Sequence, residues 1–194
     1  MAEIRLVPRD PKPSDTLSRL AERHGWKIDK KLTRAARWEE SPEYFWRVEG
    51  GGTVKLVQSA ALNRCYVVVA GAEADTLAAV VQDAIPTFAP AEILDRLSVA
   101  CSAADRIAAL HLVAAAAVPH YDQTIYTAVH AGLEDPDSLI HLAALAAAFY
   151  CRWQQFEPLI ERMTTSPHAG GTVKEIASNL LGLTHWDRGS KPHG

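Results

Sequence analysis

The sequence predicts an α+β protein. It predicts a small, mainly antiparallel sheet with helices over residues 1–88, an all-α region over residues 89–187, and a tail at 188–194. Two observations lead to this prediction. Runs of β-branched and aromatic residues separated by glycines dominate the first half, which is typical of strands joined by turns. Alanine-rich apolar residues at helical spacing take over after about residue 91.

The composition is that of an ordinary globular protein. The chain has 194 residues, 48% hydrophobic and 22% charged, and a formal net charge of -3. These values exclude a mainly disordered or collagen-like chain. Because no run of about 18 or more apolar residues occurs, we expect no membrane span. The chain begins without the basic and then apolar segments of a secretory signal, so we expect a cytoplasmic protein.

The first elements are a short strand and a helix. Residues 4–7, with the sequence Ile-Arg-Leu-Val, are a short strand candidate that stops at Pro8. A helix with Leu17 and Leu20 on one face follows, and Gly25 closes it. These two elements begin the α+β part of the chain.

A glycine-rich hairpin and a third strand complete the predicted sheet. Strand-like runs at 44–48 and 53–57 flank three consecutive glycines at 50–52. This pattern favours a hairpin turn over a phosphate-binding loop, because no helix and no Gly-Lys-Ser/Thr sequence follows the glycines. A β-branched run at 64–69 predicts a central strand, and a helical stripe over 77–85 follows it. We therefore expect three or four strands with helices on one face.

The second half contains an internal repeat. Residues 106–110 align with residues 141–145 at an offset of 35, and a weaker copy at 175–180 follows after another 34. Each copy opens a predicted helix, and further helices lie between the copies. Alternating helices with a period in the thirties are typical of a helical solenoid.

The repeated helices resemble HEAT-type or armadillo-like repeats over residues 91–187. The resemblance rests on three stretches: Asp105…Ala108-Ala109-Leu110, Asp137…Ala143-Ala144-Leu145, and the junction Leu133-Glu134-Asp135-Pro136-Asp137. The second copy departs from the family pattern, because His141 stands where arginine is usual. The resemblance implies stacked helix pairs with a concave surface that binds another protein. The first half resembles no family that we recognise.

The predicted function is a non-catalytic protein–protein interaction module. Scaffolds, enzyme accessory subunits and small bacterial inhibitors of partner proteins all have this appearance. Tyrosine, tryptophan and arginine dominate interface hot spots, so the candidate contacts are the aromatic and basic side chains near the ends of the repeat units. They are Tyr121, Tyr126, Tyr150, Arg152 and Trp153. For Tyr150 and Trp153, packing in the core is the alternative interpretation.

A basic segment gives the first alternative, nucleic-acid binding. Residues 19–37 carry seven cations against two carboxylates, with Trp26 and Trp38 among or beside them. Basic residues interleaved with aromatics can hold phosphates and stack on bases. A solvated surface paired with nearby acidic residues is the competing interpretation. The cations are Arg19, Arg23, Lys27, Lys30, Lys31, Arg34 and Arg37.

The second alternative is an enzyme with a site between the two halves. No Gly-x-Ser-x-Gly nucleophile elbow is present, and no two of the eight histidines have an i, i+4 ligand spacing. The three cysteines, Cys65, Cys101 and Cys151, are odd in number and lie outside any Cys-x-x-Cys pattern. We therefore expect no catalytic residue, no metal and no cofactor.

Overall fold

A computed structural model describes most of the chain, and the chain divides into two compact units, residues 1–92 and 93–194. The described residues contain six β-strands and eight α-helices, which confirms the predicted α+β class. None of those helices has the length and apolar character needed to cross a membrane. The described stretches are residues 3–29, 32–36, 39–117, 120–167 and 169–187.

The first unit contains one antiparallel sheet. The order across the sheet is β1-β6-β5-β4-β2, and β3 also pairs with β4. The strands β2 and β3 pair with successive parts of β4, and the sequence did not predict either of them. The bounds are β1 Glu3–Leu6, β2 Lys27–Ile28, β3 Leu32–Ala36, β4 Glu39–Arg47, β5 Thr53–Ser59 and β6 Arg64–Ala70.

The predicted glycine hairpin joins β4 and β5. The Val48 amide donates to the Gly52 carbonyl at 2.8 Å, and the Gly51 amide donates back to the Val48 carbonyl at 3.2 Å. Gly50 and Gly51 both have φ of 90°, a conformation that side-chain-bearing residues rarely adopt. The hairpin prediction is therefore confirmed.

Two helices, α1 (Ser14–Arg23) and α2 (Ala74–Ala84), share the hydrophobic core of the first unit with the inward-facing residues of the sheet. The core includes Trp26, Trp46 and Cys65, all buried. Burial raises the pKa of the Cys65 thiol, and the negative charge of Asp10 adds to this effect. The thiol donates a hydrogen bond to the Pro11 carbonyl at 3.1 Å, so Cys65 has the environment of a structural cysteine.

The described residues of the second unit form helices and the turns between them. Among its helices, α4 packs against α6 and α6 against α8, while α5 packs against α6 and α7. Side chains cap three N-termini: Ser102 forms a capping box with Asp105 at α4, and Asp122 and Asp137 cap α5 and α6. Helix α3 spans the boundary between the two units. The bounds are α3 Pro90–Val99, α4 Ala103–Ala116, α5 Gln123–Leu133, α6 Ser138–Cys151, α7 Glu157–Thr165 and α8 Gly171–Asp187.

Candidate binding site on the helical unit

Four aromatic rings meet where α5 begins and α6 ends. The Tyr121 ring lies 5.3 Å from the Trp153 ring and 5.8 Å from the Tyr126 ring, centroid to centroid. Phe156, in a 3-10 turn before α7, stacks on Trp153 at 5.2 Å and on Tyr126 at 5.6 Å. We call Tyr121, Tyr126, Trp153 and Phe156 the aromatic stack.

The aromatic stack is buried at its base and exposed at its tip. Phe156 and Trp153 are 1% and 7% exposed, whereas Tyr121 is 46% exposed. The Tyr121 hydroxyl donates to the Gln123 side-chain oxygen at 2.7 Å. Trp153, one of the predicted contact residues, therefore supports Tyr121 from within the core and presents little surface of its own.

The remaining predicted contact residues lie at the C-terminal end of α6. The ring of Tyr150 packs edge-on against Phe149 at 5.3 Å, and the Arg152 guanidinium lies 6.0 Å from the centre of the Phe149 ring. Arg152 is exposed and adopts the left-handed conformation that ends the helix. The structure thus brings Tyr121, Tyr126 and Trp153 into one cluster and gives Tyr150 and Arg152 a shared neighbour in Phe149.

The aromatic stack continues into a polar group on α5 and α7. The ring of His130 stacks on Tyr126 at 6.1 Å. Its Nε2 atom lies 3.4 Å from the carboxylate of Glu134, four residues further along the chain, a spacing at which side chains on a helix surface meet. The same Nε2 atom lies 3.4 Å from a guanidinium nitrogen of Arg162.

A cleft opens beside His130. Its volume is about 360 Å³, and it lies between the C-terminal ends of α5 and α7 and the first turn of α6. Such a volume is within the range of small-ligand sites. We call it the α5–α7 cleft. Its lining residues are His130, Leu133, Glu134, His141, Leu159, Arg162, Met163, Thr165, Ser166 and Pro167.

His141 forms the buried wall of the α5–α7 cleft. The residue is only 1% exposed, and its Nδ1 atom has no hydrogen-bond partner in the described part of the chain. A buried polar atom without a partner costs roughly 1–3 kcal/mol, so native proteins rarely retain one without a use for it. Among the described residues of the helical unit, His141 is the one buried polar or charged residue.

The position that aligns with His141 in the sequence has a carboxylate partner. Arg106, 35 residues earlier, forms an ion pair with Asp135 in the loop after α5, although its buried Nε atom has no hydrogen-bond partner among the described residues. The Asp137 amide donates to the Asp135 carboxylate at 2.9 Å and lowers the pKa of that carboxyl, against a smaller opposing effect of burial. Arg106 and His141 lower the pKa of Asp135 further.

The predicted basic segment is spread over several elements. Arg19 and Arg23 lie on α1, Lys27 on β2 and Arg34 on β3. Lys30, Lys31, Arg37 and Trp38 lie outside the described residues. Trp26 is a buried core residue, so its ring does not offer a stacking surface to a base. Nucleic-acid binding through this segment stays a prediction, without the contribution of Trp26.

Neither metal chemistry nor a known relative assigns a role to these residues. In the described part of the chain, no group of three or more His, Cys, Asp or Glu residues could hold a metal ion. Comparison with protein-family models, curated proteins and solved structures finds no match. The aromatic stack and the α5–α7 cleft are therefore the two candidate functional features of the helical unit.

Sequence reasoning missed three contributors to this region: Phe156, His141 and Arg162. In the sequence, Phe156 has the spacing of an ordinary apolar residue in a helix. Arg162 lies about 30 residues from His130, the histidine that it approaches. His141 carried the only usable signal. It stands at the position that aligns with Arg106, so the ion pair that Arg106 forms with Asp135 has no counterpart there.

Proposed function

We propose that the chain is a non-catalytic protein-binding module, a scaffold, accessory subunit or inhibitor of a partner protein, that binds through the Tyr121 face of its helical unit. One observation carries the proposal: an exposed tyrosine stands on a buried base of stacked aromatic rings. Large aromatic side chains of this kind supply most of the binding energy at protein interfaces.

The rigidity of the aromatic stack supports this role. Each aromatic pair contributes about 0.5–1.5 kcal/mol beyond its buried area. Trp153 and Tyr126 therefore hold the Tyr121 ring in place before a partner arrives, and Phe156 supports both of them. A side chain that is already ordered loses little conformational entropy on binding. We expect removal of the Tyr121 ring to weaken partner binding by about 2 kcal/mol, which is roughly 30-fold in affinity.

The packing of the helices supports the HEAT-like part of the proposal. The first helices of the repeat copies, α4, α6 and α8, pack in sequence, and α5 packs against α7. Stacked helix pairs of this kind form extended binding surfaces because each unit contacts only its neighbours. The proposed binding face lies at one end of the pairs, where α5 begins and α6 ends.

Parallel affinity purifications from the organism that encodes the chain test the proposal. The wild type, Tyr121→Ala and Leu139→Ala serve as baits, since Leu139 is another exposed apolar side chain of the same unit, 59% exposed. We expect a stoichiometric protein that the wild type and Leu139→Ala retain and Tyr121→Ala loses. Equal recovery with all three baits, or recovery of nucleic acid alone, contradicts the proposal.

A further inference from the structure

We propose that the α5–α7 cleft is a binding site for a carboxylate carried on a short apolar body. This goes beyond the proposed function, because it assigns a ligand chemistry to a cavity that the Tyr121 face does not include. Three features of the cleft carry the inference: an arginine at its rim, a buried histidine in its wall, and apolar side chains in its floor.

Arg162 supplies the positive charge. Among the described residues no ion pair joins it to a carboxylate, and its one side-chain hydrogen-bond contact there is with the Nε2 atom of His130 at 3.4 Å. That atom lies equally far from the Glu134 carboxylate. A single ring nitrogen either donates or accepts a hydrogen bond. The Nε2 atom of His130 therefore cannot accept from Arg162 and donate to the Glu134 carboxylate at the same time. The guanidinium therefore retains free donors for an anion in the cleft.

The charges of the lining residues disfavour an anion with more than one charge. Arg162 is the one arginine or lysine among the described lining residues, and Glu134, 59% exposed, stands at the same rim and repels added negative charge. A dianion such as phosphate needs several cations or a row of backbone amides. A carboxylate needs only the planar pair of donors that one arginine offers.

The floor of the cleft selects an apolar body. Leu133, Leu159 and Met163 are 3%, 6% and 5% exposed and line the cavity. Methylene groups placed against these side chains leave water for an apolar surface, which favours binding. His141 adds one polar contact beside this apolar floor, because its ring has hydrogen-bonding capacity that the described residues leave unused.

The repeat alignment explains why the cleft exists. At the preceding position Arg106 reaches across to Asp135 in the loop after α5. At the offset of 35 the counterparts are His141 and Gly170, a shorter side chain and a residue with none. The loop after α7 thus has no carboxylate at the equivalent place, and an external carboxylate takes the role that Asp135 has in the preceding repeat.

Titration of the full-length chain with sodium hexanoate, followed by ¹H–¹⁵N and methyl NMR, tests the proposal. We expect saturable shifts at His130, His141 and Met163, with a dissociation constant of about 1 mM, as suits a ligand of this size. Hexanamide, which has the same apolar body without the charge, should bind at least about tenfold more weakly.

Variants of the rim residues link binding to the assigned roles. Arg162→Met should weaken hexanoate binding about tenfold, and Glu134→Gln should strengthen it about twofold. Arg96→Met, which removes an exposed arginine on α3, is the matched control and should change nothing. Both Arg162 and Glu134 are exposed, so the fold tolerates these substitutions.

A second titration distinguishes the two sources of such a carboxylate. The probe is the peptide acetyl-Leu-Asp-Leu-amide, with its Asn counterpart as control. Tighter binding of the acidic peptide than of hexanoate assigns the cleft to a side chain of a protein partner; the reverse order assigns it to a free small acid. Absence of saturable shifts with both acids, or equal binding of hexanamide and hexanoate, overturns the proposal. Either of those results leaves the Tyr121 proposal standing, because the affinity purifications test it separately.

Discussion

Two junctions of the helical unit lie at positions that align in the sequence at an offset of 35, and they are built differently. In the first junction, Arg106 at the start of α4 pairs with Asp135 in the loop after α5. In the second junction, His141 at the start of α6 lines a cleft together with the loop after α7. The first junction is closed by an ion pair, although the buried Nε atom of Arg106 has no partner among the described residues. The second junction contains a cavity beside the buried, unpartnered Nδ1 atom of His141.

The difference shows that two positions aligned in the sequence can have very different surroundings. The ion pair at the first junction links the start of α4 to the loop after α5. The second junction has no such ion pair among the described residues and has space beside a buried histidine. We therefore expect substitutions at the two junctions to have opposite effects on stability.

The largest expected effect comes from opening the first junction. Asp135→Ala removes the acceptor of the Asp137 amide and the partner of Arg106. Hydrogen bonds to charged groups contribute about 1.5–3 kcal/mol, so the free energy of unfolding should fall by at least about 2 kcal/mol. Urea unfolding followed by circular dichroism measures it. Glu134→Ala, an exposed neighbour, is the control and should shift the midpoint little; equal effects of the two variants would show that the ion pair is not structural.

Close packing at the first junction gives the next effect. A Cβ atom added to Gly132 would lie 2.9 Å from the Cβ of Ala144, and such an atom cannot move without its backbone. Gly132→Ala should therefore lower the free energy of unfolding by about 1–2 kcal/mol despite the better helix propensity of alanine.

Gly182 in α8 is the matched control for Gly132. It has open space where a Cβ would be placed, so Gly182→Ala should raise the free energy of unfolding by up to about 1 kcal/mol. Thermal unfolding of the two variants gives the comparison. Two shifts of the same sign would contradict the packing described for Gly132.

The second junction should respond in the opposite direction. His141→Leu removes the buried Nδ1 atom that lacks a partner and puts an apolar side chain of similar size in its place. We expect the free energy of unfolding to rise by about 1 kcal/mol, while hexanoate binding weakens. A loss of stability on this substitution would mean that His141 is a structural residue and would remove the contrast between the junctions.

Acidification should reduce the contribution of the first junction. The pKa of Asp135 is lowered in the folded chain, so its ionised form stabilises the fold at pH values above the ordinary carboxyl pKa of about 3.9. That contribution disappears as the pH falls through the folded-state pKa. The stability difference between the wild type and Asp135→Asn, about 1 kcal/mol at neutral pH, should therefore vanish in strong acid. A difference that stays constant with pH would assign the effect to packing.

The sequence predicted the elements whose signals are local. The glycines at 50–52 predicted the hairpin because glycine adopts the positive φ values of a tight turn more readily than other residues do. The 64–69 run predicted β6 because a central strand has β-branched residues on both faces. Strands β2 and β3 were missed because an edge strand needs only backbone hydrogen bonds to β4. Their sequences have no alternation of apolar and polar residues.

The candidate site was predicted in part, for a similar reason. Tyr121, Tyr126 and Trp153 are residue types that mark interfaces, so composition alone nominated them. The cleft could not be predicted, because its arginine, its histidine and its apolar floor come from three helices. Only tertiary packing brings such residues together, and the pairing of His130 with Arg162 has no local signal.

The most direct test of the account places a photoreactive p-benzoylphenylalanine at position 121 or at position 139 of the full-length chain. Irradiation in the cells that produce the chain, followed by mass spectrometry, identifies what lies against each position. We predict a defined covalent adduct with one partner protein at position 121 and none at position 139. Adducts of equal yield at both positions, or none at position 121, would contradict binding through the Tyr121 face.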